Sequence, residues 1–213
     1  MAMHLVYPDP QIETRTAAAN AVRRLAEALV GHVVTDDALA EVTAWADAAA
    51  ARLEQGEVVV RADDYQQRRY THPAPQDGDR LVSFTDRPIS GPANPTAQDL
   101  VLHRVGEEVV GVVRFGRLSE ASPGRAHGGM TAAVFDDVMG YVMLVAAVAA
   151  YTGSLTVRYL KPLPIQEPVE FRGRVSERRD RVWTVTAEAR ANGEIVSDAE
   201  GKFVVVPPER FGL

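Results

Sequence analysis

Apolar and polar positions change period once along the chain. Between residues 12 and 54 the apolar positions recur at helical spacing. Val22, Leu25, Ala26 and Leu29 form one stripe, and Leu39, Val42, Ala46, Ala49 and Leu53 a second. Thr35-Asp36-Asp37 supplies an N-cap and an acidic first turn for the second helix, and Gly56 a stop. Residues 71–98 are dense in turn formers, among them Pro73, Pro75, Asp77-Gly78, Arg87-Pro88 and Ser90-Gly91-Pro92, and predict loop with a short strand at Leu81–Phe84. From residue 99 the period is two. Asp99–Val105 and Val109–Gly116 predict a hairpin about Gly106-Glu107-Glu108. A loop at Ser122-Pro123-Gly124 leads into an apolar helix expected from Gly128 to Ala150. Strict alternation follows through Leu155, Val157 and Tyr159, then Val169, Phe171, Gly173 and Val175, then Trp183, Val185, Ala187 and Ala189. A last strand is expected over 195–206, after a turn at Asn192-Gly193.

Alternating strands bury one face and wet the other. One long apolar helix exists to cover the buried face. The expected class is therefore α+β, a mostly antiparallel sheet wrapped around a long central helix. Residues 1–70 read as a helical N-terminal extension and linker, and residues 71–213 as the sheet domain.

Composition narrows the function. Of 213 residues 46% are hydrophobic and 24% charged, which is ordinary for a globular chain. Cysteine is absent, excluding disulfides, thiolate metal sites and a Cys nucleophile. The net charge of -6 argues against nucleic acid and anionic membrane as partners. Residues 1–60 hold 4 Arg against 9 Asp and Glu, a poor helix-turn-helix DNA reader. The most apolar stretch, Met130–Ala150, is interrupted by Asp136 and Asp137. Its uncharged part falls short of the ~20 residues a membrane span needs. The first residues lack a basic and apolar leader, so a cytoplasmic location is expected. The five histidines are too scattered for a metal site, and Gly-x-Ser-x-Gly, Gly-x-Gly-x-x-Gly and phosphate-loop motifs are missing. Neither metal nor other cofactor is expected.

Candidate chemistry gathers where the central helix begins. In His127-Gly128-Gly129 the glycines permit close approach of a ligand. The first N–H groups of a helix, lacking partners within it, can hold an anion or a developing oxyanion. The alternative is that the glycines only turn the chain and His127 only caps it. Asp136 and Asp137 are two carboxylates in apolar company. They lie ~100° apart on a helix, so one can be paired or solvated while the other faces a pocket as base or nucleophile. Arg158, Lys161 and Arg178-Arg179-Arg181 are basic sites in an acidic chain, either solvated edge residues or phosphate contacts.

His127-Gly128-Gly129 followed by Asp136, with Thr152-Gly153-Ser154-Leu155-Thr156-Val157-Arg158-Tyr159-Leu160-Lys161-Pro162-Leu163-Pro164 downstream, resembles the signature of hotdog-fold thioesterases. The resemblance is to the phenylacetate-type (PaaI-like) acyl-CoA thioesterases and covers about residues 99–206. It implies hydrolysis of acyl-CoA thioesters. Asp136 would be general base or nucleophile, and the Gly128 N–H would polarise the carbonyl. His127 would orient the substrate, and Thr152 would position water. Gly129 and Arg158 are the further candidates for substrate contact, and coenzyme A enters only as part of the substrate. Some members carry Asn where this chain has Ala121, which bears on the subgroup more than on the reaction. A hotdog hydratase or dehydratase, and a non-catalytic acyl-CoA-binding or scaffold protein, are the alternatives.

Asp136 lies nine residues beyond His127, about 13 Å and half a turn away on a helix. A reacting carbon must lie about 3 Å from both base and oxyanion donor. One helix cannot supply both. A two-fold partner can, so a homodimer is expected, with further pairing to a dimer of dimers left open.

Overall fold

A computed structural model describes residues 3–213. In chain order its elements are β1 (Met3–Leu5), α1 (Ile12–Gly31), α2 (Asp36–Leu53), α3 (Tyr65–Thr71), β2 (Arg80–Val82), β3 (Asp99–Val105) and β4 (Glu108–Arg114). There follow β5 (Glu120–Ser122), β6 (Arg125–Ala126), α4 (Gly128–Val145), β7 (Ala150–Tyr159), β8 (Pro168–Arg179), β9 (Val182–Ala191) and β10 (Glu194–Val205). Eight strands form one sheet in the order β1-β2-β3-β4-β8-β9-β10-β7. Every pair in it is antiparallel except β1 with β2.

The sheet wraps α4, as the alternation predicts. Val134, Phe135, Val138, Met139 and Val142 of α4 are fully buried against Phe171, Val185 and Ala189 of the strands. A row of small residues lets the helix come close. Gly173, Ala187 and Ala199 are neighbours across β8, β9 and β10. A Cβ on Gly173 would stand 3.1 Å from Val138 and 3.2 Å from Val142. The apolar length of α4 would suit a membrane by composition, but it is spent on this core.

Three boundaries differ from expectation. The central helix ends at Val145, not Ala150. Val148 N–H bonds the Met143 carbonyl at 3.0 Å with Ala147 at φ 53°, a left-handed closure that glycine usually marks. Residues 150–154 then open β7, a longer strand than the alternation suggested. The segment 1–70 is not wholly helical or outside the sheet. β1 extends the sheet edge beside β2, Val6 joins the core, and the helix α3 ends the segment. Thr35 caps α2 as expected, accepting from Ala38 N–H at 3.3 Å.

Candidate functional site

The turn into α4 is held from two sides. His127 N–H donates to the Ser119 carbonyl at 2.7 Å, and Ala126 N–H to the Leu163 carbonyl at 2.9 Å. The Lys161-Pro162-Leu163-Pro164 run therefore clamps the strand that delivers the helix. His127 is the N-cap: its Nδ1 accepts from Gly129 N–H at 2.9 Å. A ring nitrogen that accepts is unprotonated, so in the neutral imidazole the outward Nε2 carries the proton. The cap occupies the Gly129 N–H and leaves the Gly128 N–H as the orphan at this helix end. Tyr159 Oη donates to the Gly128 carbonyl at 2.8 Å and fixes the peptide from behind. Gly128, Thr131, Tyr159, Lys161 and Arg125 line one open depression of about 400 Å³.

The two aspartates separate as the helical angle requires. Asp137 is buried, 4% exposed, and accepts from Arg87 Nε at 2.9 Å and from the same guanidinium's Nη2. Burial alone would lower the Arg87 guanidinium, but the Asp137 carboxylate beside it more than offsets this and leaves it raised. Asp136 is exposed and accepts from Thr152 Oγ1 at 2.9 Å. Strict alternation from Leu155, Val157 and Tyr159 would turn Thr152 away from α4. A bulge corrects this. Ser154 pairs with Lys202 and Thr152 with Phe203, so Gly153 is the extra residue and the strand changes face there. A Cβ on Gly153 would press on Val204 at 3.2 Å and the Lys202 carbonyl at 3.3 Å, which suits glycine to the bulge.

Behind Asp136 and Thr152 lies a cavity of about 150 Å³. Its walls include Tyr65, Gln66 and Arg69 of α3, Arg87, and Met143, Val148 and Phe203. Tyr65 Oη accepts from Arg87 Nη1 at 3.2 Å and from Arg69 Nη2. Burial pushes the Arg69 guanidinium down, Tyr65 pulls the other way, and the like charge of Arg87 lowers it again.

The expected residues thus fall into two groups at the two ends of β7. Asp136 and Thr152 line one hollow and Gly128 another, with His127 and Gly129 beside Gly128 in the turn. Arg158 joins neither. It points to the opposite face of the sheet, pairs with Asp198 Oδ1 at 2.7 Å and is 72% exposed, so it does not converge on the site expected of it. Sequence reading missed Tyr159 as a support of Gly128. It also missed Tyr65, Arg69 and Arg87, whose only hint was the i, i+4 spacing of Tyr65 and Arg69 in an unassigned segment. Among the described residues no cluster of three metal-binding side chains occurs.

The model of the thioesterase superfamily matches residues 123–197 of the chain. A crystal structure described as a thioesterase superfamily protein is 27% identical, with 89% of this chain and 90% of that one covered at a TM-score of 0.77. A phenylacetic acid degradation-related protein of Ralstonia eutropha is 24% identical over 50% of this chain and 84% of its own, at a TM-score of 0.45. The PaaI protein of E. coli is 16% identical over 46% of this chain and 75% of its own, at a TM-score of 0.44. No curated protein matches the chain.

Proposed function

We propose that the chain, whose residues 123–197 match the thioesterase superfamily model and whose fold is that of a thioesterase superfamily protein, hydrolyses acyl-CoA thioesters at a site shared by two chains. The observation that carries this reading is the pair Asp136–Thr152, a solvent-facing carboxylate held at 2.9 Å by a hydroxyl beside a cavity. In the water route Asp136 takes a proton from a water oriented by Thr152. The water oxygen bonds the thioester carbon, and the carbonyl oxygen becomes an oxyanion on the partner's Gly128 N–H. Collapse breaks the carbon–sulfur bond, and the thiolate of coenzyme A leaves and is protonated. Alternatively the Asp136 carboxylate bonds the thioester carbon, the carbon–sulfur bond breaks as the coenzyme A thiolate leaves, and water hydrolyses the resulting anhydride to the free acid and Asp136. The Nε2–H of His127 faces solvent at the same turn and orients the thioester. No cofactor enters either route.

The two-chain arrangement rests on β7. It is the sheet's outermost strand, bonded on one side to β10. Ten residues of unpaired edge invite a second strand. Residues opposite one another in an antiparallel pair share a face. A two-fold axis near Thr156 satisfies this and sets Tyr159 of one chain against the Gly153 bulge of the other. The Gly128 turn under that Tyr159 then lies beside the other chain's Thr152 and Asp136.

Thiol release from a panel of acyl-CoA thioesters tests the activity. Asp136→Asn keeps the volume and removes the charge, and is expected to lower the rate at least ~100-fold with folding intact. Near-normal turnover by that variant would remove Asp136 from its role. Silence of the wild type on every chain length would favour a binding protein.

A further inference from the structure

The cavity behind Asp136 has an electrostatic peculiarity that thioester hydrolysis does not require. Arg69 is 7% exposed, and its Nη1 is buried without a hydrogen-bond partner among the described residues. No carboxylate lies within ion-pair distance of it there. The buried acid nearby, Asp137, is taken by Arg87. Arg69 instead shares one phenol oxygen with Arg87 and lies 4.8 Å from the Tyr65 ring centroid. A cation–π contact of this kind offsets only part of what an unpaired buried charge costs. Asp136 lines the same cavity but is exposed and bonded to Thr152, and Asp137 keeps a buried Oδ2 without a partner, so it is the unpartnered Nη1 of Arg69 that calls for an anion. Gln66 is the counter-case, since its Oε1 is a buried, unpartnered acceptor in the same wall. It is neutral, however, and leaving it so costs less than leaving a charge uncompensated.

The size and lining narrow the anion. The cavity of about 150 Å³ equals roughly five water-sized volumes of liquid, too little for a long acyl chain. Met143, Val148 and Phe203 offer apolar wall for a few methylenes, and the guanidiniums offer a charged end. Asp136 and Thr152 line the same cavity, so whatever fills it is joined to the carbon they act on. We propose that this cavity takes the distal carboxylate of a short dicarboxylic acyl group. The preferred substrates are then thioesters whose acyl chain of about four or five carbons ends in a second carboxylate, bound by Arg69 and Arg87. The inference rests on the hydrolase reading above. It also gives the N-terminal region a task, because α3, which carries Tyr65, Gln66 and Arg69, lies outside the segment 123–197 that matches the superfamily.

The test compares glutaryl-CoA with pentanoyl-CoA, equal in length and differing in the terminal charge, by thiol release from the full chain. The expected kcat/KM for glutaryl-CoA is at least tenfold higher. Arg69→Met is expected to cut that ratio at least tenfold, and Arg69→Lys to restore part of it. A wild-type ratio near one, or an unchanged ratio in folded Arg69→Met, overturns the proposal. Should Arg69→Met not fold, inhibition of the wild type decides. Free glutarate must inhibit at least tenfold more strongly than its neutral diamide, and equal inhibition overturns the assignment. Turnover of other acyl-CoA thioesters but of neither of these sinks this proposal alone, whereas silence on the whole panel sinks the hydrolase reading and this one with it. Turnover of both without preference sinks this one alone.

Discussion

Asp136 and Asp137 are chemically identical neighbours with opposite surroundings, and about 100° of helix separates them. Asp137 faces inward to Arg87, so it is a structural residue. Asp137→Asn would leave the Arg87 charge without its counter-ion. The expected cost is about 3 kcal/mol, the low end for a broken buried pair, because Arg87 is still 22% exposed and an amide oxygen still accepts. For a chain of this length that is a fall in Tm of roughly 6–12 °C, and an unchanged melting temperature would contradict the role. The sequence shows that such a pair must divide, yet not which member pairs, since Arg87 lies fifty residues away in a loop without periodicity. His127 illustrates the same limit from the other side. Its dipeptide of glycines marks a helix start, and the capping reading of the histidine is the one on view: its Nδ1 accepts from Gly129 N–H.

The elements visible in sequence are those with a sustained period: α1, α2, the β3–β4 hairpin, α4 and the strands that wrap it. Those missed have no such signal. β1 has three residues and α3 seven, too short to show a repeat, and α4 stops on an alanine in the left-handed region instead of a glycine. The bulge in β7 is a one-residue event that alternation cannot foresee, and it decides where Thr152 points. The short β1 is also the element most open to pH. Burial and the neighbouring charge of His72 hold His4 below its ordinary value, Asp79 opposes them, and Arg69 adds to the lowering. The folded state thus favours neutral His4, while the unfolded chain takes its proton below about pH 6.5. Stability is unaffected above that pH and falls as the pH drops from 6.5 toward the folded value. Thermal unfolding at pH 7.5, 6.0 and 5.0 should show the loss in the wild type and a shallower one in His4→Gln. Parallel curves for the two proteins would mean that another group carries it. Asp64, held low by hydrogen bonds from Tyr7 and Arg68, acts at more acid pH, where its stabilising contribution is lost as it takes a proton.

In the molecule as a whole the two halves of the candidate site lie at opposite ends of one edge strand. Gly128 sits under Tyr159 and Asp136 under Thr152, and the hollows they line share no residue. The nine-residue offset between His127 and Asp136 already implied this separation, and the packing of β7 along α4 maintains it. Two lesions should therefore complement one another. Gly128→Val places a branched side chain where a Cβ already meets the Tyr159 ring at 3.4 Å, displacing the N–H. The loss expected from one oxyanion donor is ~3–4 kcal/mol in transition-state stabilisation. Asp136→Asn removes the carboxylate proposed as base. On the two-chain reading each variant alone is then expected to be inactive. In a heterodimer of the two variants one site carries both lesions and the other neither. Mixing the inactive proteins with subunit exchange should restore activity, up to about half per heterodimer if the sites act independently. Heterodimers demonstrated by mass and still silent would place base and oxyanion donor in one chain. With α4 unbroken from Gly128 to Asp136, that result would take the oxyanion role away from Gly128, since no rotation of a single helix brings the two within reach of one carbon.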